Sequence, residues 1–182
     1  KDLKPAGVFK YFEEICQVPR PSKKEEKMIA YLKAFGAKHN LETKVDEAGN
    51  VLIKKPATPG KENLQTVVLQ SHIDMVCEKN NDVQHDFLTD PIETEIDGEW
   101  LKAKGTTLGA DNGIGVATEL AILADDSIEH GPLECLFTVD EETGLTGAFA
   151  LQEGFMSGDI LLNLDSEDEG EIFIGCAGGI DS

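Results

Sequence analysis

TVVLQSHIDMV, residues 66–76, is an apolar run that stops at His72 and resumes with Asp74 two places later. Its short length and β-branched opening read as a strand buried on both faces, the kind found inside parallel sheets. The question it raises is why such a strand should push an imidazole and a carboxylate out of its end. Taken alone, the pair also fits a satisfied core histidine beside a capping or surface carboxylate, because short motifs match by chance.

Working outward, residues 5–40 give two helical patterns broken at Pro19 and Pro21, with Phe9, Phe12, Ile15 and Cys16 as one apolar stripe. Ser22 followed by Glu25 reads as a capping box for the second helix. LETKVDEAGNVLIKK (41–55) alternates around Gly49-Asn50, and IETEIDGEWLKA (92–103) around Asp97-Gly98, so both read as hairpins. After the loop GTTLGADNG (105–113) comes a helix, IGVATELAILADD (114–126), and then the buried strand LECLFTV (133–139). A short helix around 144–152, a third buried strand DILLNLD (159–165) and a strand-like GEIFIGCAGG (170–179) follow. Strands alternating with helices predict one α/β domain, with a mixed, mostly buried central sheet and helices on both faces.

The composition narrows the partners. Of 182 residues, 40% are hydrophobic, enough for one sizeable core. Against 16 basic residues stand 35 acidic ones, a formal net charge of -19. Nucleic acid and anionic membranes are poor partners for such a surface. Cys16, Cys77, Cys135 and Cys176 are widely spread with no CxxC pair, which fits a reducing cytoplasm better than a disulfide framework. No stretch has the pattern of a signal peptide or the ~20 apolar residues of a membrane span.

The end of residues 66–72 now gains company. LECLFTV runs into Asp140, Glu141 and Glu142, DILLNLD ends at Asp165, and Asp111 lies in a loop just before a helix. In open α/β sheets ligands collect outside the carboxyl ends of the strands. Carboxylates gathered in a partly dry cleft repel one another and are costly to desolvate, so they take up protons or bind a dication. Imidazole with carboxylates suits zinc, with cobalt or manganese as substitutes.

The motifs SHIDMV (71–76), GTTLGADNGIG (105–115), FTVDEETGLTGA (137–148) and NLDSEDEGE (163–171), in this order, resemble the co-catalytic zinc exopeptidases related to aminoacylase and carboxypeptidase. EKNNDVQHDF (78–87), residues 96–115 and residues 164–179 most resemble the aminoacyl-histidine dipeptidases, the carnosinase-like group. The resemblance implies two zinc ions, with His72 and Asp165 on the first, Glu142 on the second and Asp111 bridging them. Asp74 would orient His72, Glu141 would be the general base, and the peptide bond between Asp111 and Asn112 would be cis. It further implies a dipeptide substrate of the Xaa-His type and a homodimer. Residues 1–182 would be the N-terminal portion of the catalytic domain. The lid domain and a second-zinc histidine belong to parts of the family's longer chain that these residues do not include, so this portion alone is expected to be inactive.

An N-acyl amino acid deacylase would share the same metal centre. A calcium-binding module at Asp165–Glu171 has acids at alternate positions, but the twelfth position of such a loop is Cys176, where a bidentate glutamate is required. Cys77 beside His72 has only Lys79 nearby to stabilise a thiolate. His85 falls in a loop near the site.

Overall fold

The computed structural model describes residues 3–166 and 170–175. Two helices come first, α1 (Ala6–Cys16) and α2 (Glu26–Lys38). Tyr11, Phe12, Ile15 and Cys16 are the buried face of α1, and Met28, Leu32, Phe35 and Gly36 that of α2. The spacing is that of an apolar stripe on a helix of 3.6 residues per turn. Then follow β1 (Glu42–Val45), β2 (Val51–Lys55), β3 (Val67–His72), β4 (Thr94–Asp97), β5 (Trp100–Ala103), α3 (Ala110–Ala124), β6 (Leu133–Thr138), α4 (Thr146–Ala150) and β7 (Ile160–Asn163).

The main sheet has the order β1-β2-β6-β3-β7, and β4 and β5 form a separate hairpin. β1, β2 and β6 pair antiparallel, whereas β3 runs parallel to both β6 and β7. The sheet is therefore mixed, as the alternation of elements predicts. Strand alternation divides its side chains between two cores. Val51, Ile53, Leu69, Cys135 and Phe137 face α1, α2 and α3 in the larger one. Leu52, Val68 and Leu136 face the opposite way, against Leu151, Phe155 and Met156 from the segment following α4. Leu120 on α3 is fully buried between helix and sheet, and truncating such a residue to alanine costs about 2–5 kcal/mol.

Three local expectations differ from the structure. β7, predicted as a buried strand, leaves Ile160, Leu161 and Leu162 exposed, because it occupies the sheet edge with β3 as its one partner among the described residues. Residues 170–175 carry no strand, and residues 176–179 of that predicted strand lie outside the described residues. Ser22 and Glu25 do not form a capping box: α2 starts without a side-chain cap, Ser22 donates to Asp74, and Glu25 accepts from the N–H groups of both Lys23 and Asp140. No helix among the described residues is long and apolar enough to cross a membrane.

Candidate metal centre

The site follows from register. β3 pairs in parallel with β6 up to His72↔Thr138 and with β7 up to Gln70↔Asn163. Just past these pairs the chain presents Asp74, then Glu141 and Glu142, then Asp165, all at one rim of the sheet. Asp111 arrives from the start of α3, where it and Asn112 have non-helical backbone angles and share a cis peptide bond. Asn112 donates through Nδ2 to Leu164 O at 3.1 Å and to Asp165 Oδ1 at 2.5 Å. One dipeptide step thus presents a carboxylate to the rim and anchors a second one.

His72 is the centre of the cluster and almost fully buried. Its Nδ1 lies 3.2 Å from Asp74 Oδ1, and its Nε2 lies 2.9 Å from Asp111 Oδ1, 3.7 Å from Asp165 Oδ2 and 3.9 Å from Glu141 Oε2. With Nδ1–H donated to Asp74, the lone pair of Nε2 faces the other carboxylates, the tautomer and orientation of a metal-ligating histidine. Burial pulls the His72 pKa down, but the bond to Asp74 and the charges of Asp165, Asp74 and Asp111 outweigh it and raise the pKa to about 9.

Asp74 has no solvent-exposed surface and accepts from four groups. Besides His72, these are Ser22 Oγ at 2.7 Å, the Glu141 N–H at 3.0 Å and the Glu142 N–H at 3.2 Å. Burial alone would raise its pKa, yet these bonds bring it down to about 2. Asp74 therefore fixes the imidazole and, through the backbone, the two glutamates beyond β6. Glu141 and Glu142 are pushed above the usual carboxylate range, first by desolvation and then by neighbouring carboxylates, against the pull of His72.

Ligand-capable atoms of His72, Asp111 and Asp165 lie within 4.8 Å of one another, and so do those of His72, Glu141 and Glu142. Acceptor atoms crowded in this way, with raised glutamate pKa values, are a donor set that a divalent cation fits. All six residues singled out from the sequence meet here. The structure also groups Glu141 with Glu142 and His72, where the resemblance gives only Glu142 to a metal. Asp165 faces Asn112 and His72, and the calcium-loop reading otherwise falls partly on residues 167–169, which lie outside the described residues. His85 packs edge-on against Phe87, with ring centroids 4.5 Å apart, and belongs to neither cluster.

Sequence reading missed three supporting residues. Arg20, buried, donates to three backbone carbonyls around the site. Glu25 accepts from the Asp140 N–H at 3.0 Å. Asn50, at the β1–β2 turn and fully buried, accepts from the Val139 N–H at 3.1 Å and donates to Gly147 O at 2.8 Å, bracketing the Glu141-Glu142 loop. The Ser22-Glu25 spacing was the one signal in the sequence, and it points equally to a helix cap.

A fold and a rim of this kind define a class, and comparison with known proteins agrees: residues 68–176 match Peptidase family M20/M25/M40, and the chain belongs to that family. Among curated proteins it is 55% identical to the cytosol non-specific dipeptidase of Escherichia coli (strain K12) over 179 residues, 98% of this chain and 37% of that protein. Among solved structures it matches an aminoacylhistidine dipeptidase from Vibrio alginolyticus, with a TM-score of 0.93 and 57% identity over 96% of this chain and 36% of that one. An aminopeptidase, PepT, from Bacillus cereus matches with a TM-score of 0.75 and 26% identity, over 89% of this chain and 43% of that one. The chain thus spans 36–43% of the length of these three relatives.

Proposed function

We propose that the chain carries most of a two-metal centre for hydrolysing dipeptides, with His72, Asp111, Asp165 and Glu142 as ligands and Glu141 as general base. The observation that carries this reading is the convergence of His72 Nε2 with Asp111, Asp165 and Glu141 oxygens within 3.9 Å, over a buried Asp74. Zinc is the metal this donor set suits, with cobalt or manganese as substitutes. Bound there, a divalent cation supplies a Lewis acid that polarises the scissile carbonyl and acidifies water. Glu141, part-buried and with its pKa raised, accepts the proton of the attacking water and returns it to the leaving amine. Asp74 fixes the backbone that carries Glu141 and Glu142 by accepting from both their N–H groups. Asn112 holds Asp165 at the reach of His72.

The dipeptide substrate is supported by the names of the two relatives sharing 55% and 57% identity with this chain. A preference for histidine in the second position, a homodimer and a cytoplasmic setting belong to the same reading. On it, residues 1–182 form the N-terminal portion of the catalytic domain, which fits the 37% share of the Escherichia coli relative's length. His72 is the one histidine in either ligand group among the described residues, so this portion alone is expected to turn over dipeptides poorly.

The test uses two variants in the full-length protein. Glu141→Gln should keep its metal and lose roughly 10²–10⁴-fold in kcat, because the isostere cannot accept the water's proton. Glu142→Ala should lose metal and activity together. Metal loss from Glu141→Gln, or full occupancy and activity in Glu142→Ala, would overturn the assignment. A substrate panel decides the class: faster cleavage of N-acetyl amino acids than of dipeptides would make the protein a deacylase.

A further inference from the structure

The segment leaving β3 and the loop before Asp111 are bonded backbone to backbone at Thr107 N–H to Glu78 O (2.8 Å), and nearer the proposed ligands the Arg20 side chain joins the same two segments. Nη1 donates to Ile73 O and Asp74 O, both at 3.2 Å, on the chain leaving β3. Nη2 donates to Gly109 O at 2.7 Å, two residues before Asp111. Arg20 is 2% exposed, and these bonds go to carbonyl oxygens, not to a carboxylate side chain. The notch it occupies is walled by glycines. A Cβ on Gly109 would stand 2.5 Å from Arg20 Nη2, and one on Gly113 would stand 2.8 Å from it and 3.1 Å from Phe12 Cε2. The parallel bridge Pro21↔Met75 holds the adjoining backbone in the same register.

We infer that Arg20 is a positioning residue of the metal centre, clamping the His72-Asp74 segment to the Asp111 loop and so setting the separation of their ligand atoms. The inference rests on the metal reading proposed above. A planar fork suits this geometry: Nη1 and Nη2 donate from two separate nitrogens to carbonyls on two segments, a span that the single nitrogen of a lysine does not match. Gly109 and Gly113 leave the space for it. A surface staple would need neither the burial nor the glycine walls.

The experiment is a Co²⁺ titration of the purified protein, reading affinity by competition with a chelator and geometry by the ligand-field absorption bands, alongside melting with the metal removed. Arg20→Lys should weaken Co²⁺ binding roughly 10–100-fold, the usual effect of losing a residue that supports the ligands, and should shift the bands. Gly113→Ala, which leaves the charge in place and crowds Nη2, should move affinity and bands in the same direction. The double variant should lose no more than the stronger single one, since both act on one contact. If Arg20→Lys does not fold, Gly113→Ala decides alone. The inference is overturned if the folded variants melt lower yet bind Co²⁺ with wild-type affinity and bands, the result expected of a merely structural arginine. If the wild-type protein takes up no Co²⁺, the metal reading itself falls and this inference goes with it.

Discussion

Asp74 and Glu119 are both buried carboxyls within reach of the same strand end, and they titrate in opposite senses. Asp74 accepts four hydrogen bonds and ionises at about 2; Glu119 accepts from Ser71 Oγ at 2.7 Å on Oε1, has the Cys135 thiol beside it, and is raised well above the usual carboxylate range by desolvation. The folded-state pKa of Asp74 lies below its unfolded value, so its contribution is present in full above about pH 4 and is lost as pH falls through about 2. That contribution is about 2 kcal/mol. For Glu119 the sign reverses, because the folded state holds its proton more tightly. Its contribution is full below the unfolded value near 4.5 and declines as pH rises towards the folded one. Urea denaturation across pH should therefore find the metal-free Asp74→Asn variant with a flattened acid limb and a lower plateau. Glu119→Gln should raise the midpoint at pH 8 relative to wild type, and a lower midpoint there would contradict a neutral Glu119.

Among elements, the loop between β6 and α4 bears the most weight, since it carries Glu141 and Glu142 and is held from outside by Asn50 and Asp74. Asn50→Ala strands the Val139 N–H and the Gly147 carbonyl in a buried setting, which should cost about 2–6 kcal/mol at about 1–3 for each unsatisfied group. Amide exchange should speed up over residues 139–147 before it does in β3. Protection unchanged there, with an unaltered midpoint, would show the loop to be held by other contacts. The elements themselves were readable from sequence where periodicity or a turn residue marked them: both hairpins, α1 to α3, β3 and β6. So were His72, Glu141, Glu142 and Asp165, because a charged residue at the end of an apolar run stands out locally, whereas Asp111 was marked by its place in a glycine-rich loop just before a helix. Arg20, Asn50 and Glu25 were not readable in their roles, since their partners lie 53 to 115 residues away and no local pattern reports them. Ser22 shows the ambiguity directly, as a hydroxyl three places before a glutamate suits a cap as well as a bond to Asp74. The exposure of β7 was hidden for another reason: Ile160, Leu161 and Leu162 have the composition of an inner strand, and only strand order places them at an edge.

For the whole molecule, charge is the dominant quantity. A formal net charge of -19 over 182 residues repels itself, and five of the carboxylates are concentrated at the rim around His72. Salt should relieve part of this repulsion, so the metal-free protein should melt higher in about 150 mM than in about 10 mM sodium chloride, where the Debye length shrinks from ~30 Å to ~8 Å. A divalent ion that binds only the folded state should add about 2.7 kcal/mol at a hundredfold excess over its Kd. Calorimetry in chelator and in zinc separates the two effects, and equal melting temperatures in both would count against a bound metal.

The rim of proposed ligands also has a consequence in time. His72 and Asp165 stand at the ends of β3 and β7, the glutamates at the end of β6, and Asp111 beyond the hairpin of β4 and β5, so no local segment brings a full ligand set together. Parallel pairing of distant strands is late and slow in folding. An ion that needs all of it can act only once the native register exists, and so has little to offer the transition state. In double-jump kinetics zinc should therefore leave the refolding rate nearly untouched and slow the unfolding rate by almost the full factor of its stabilisation, making the cation a latch on the finished sheet rather than a template for it.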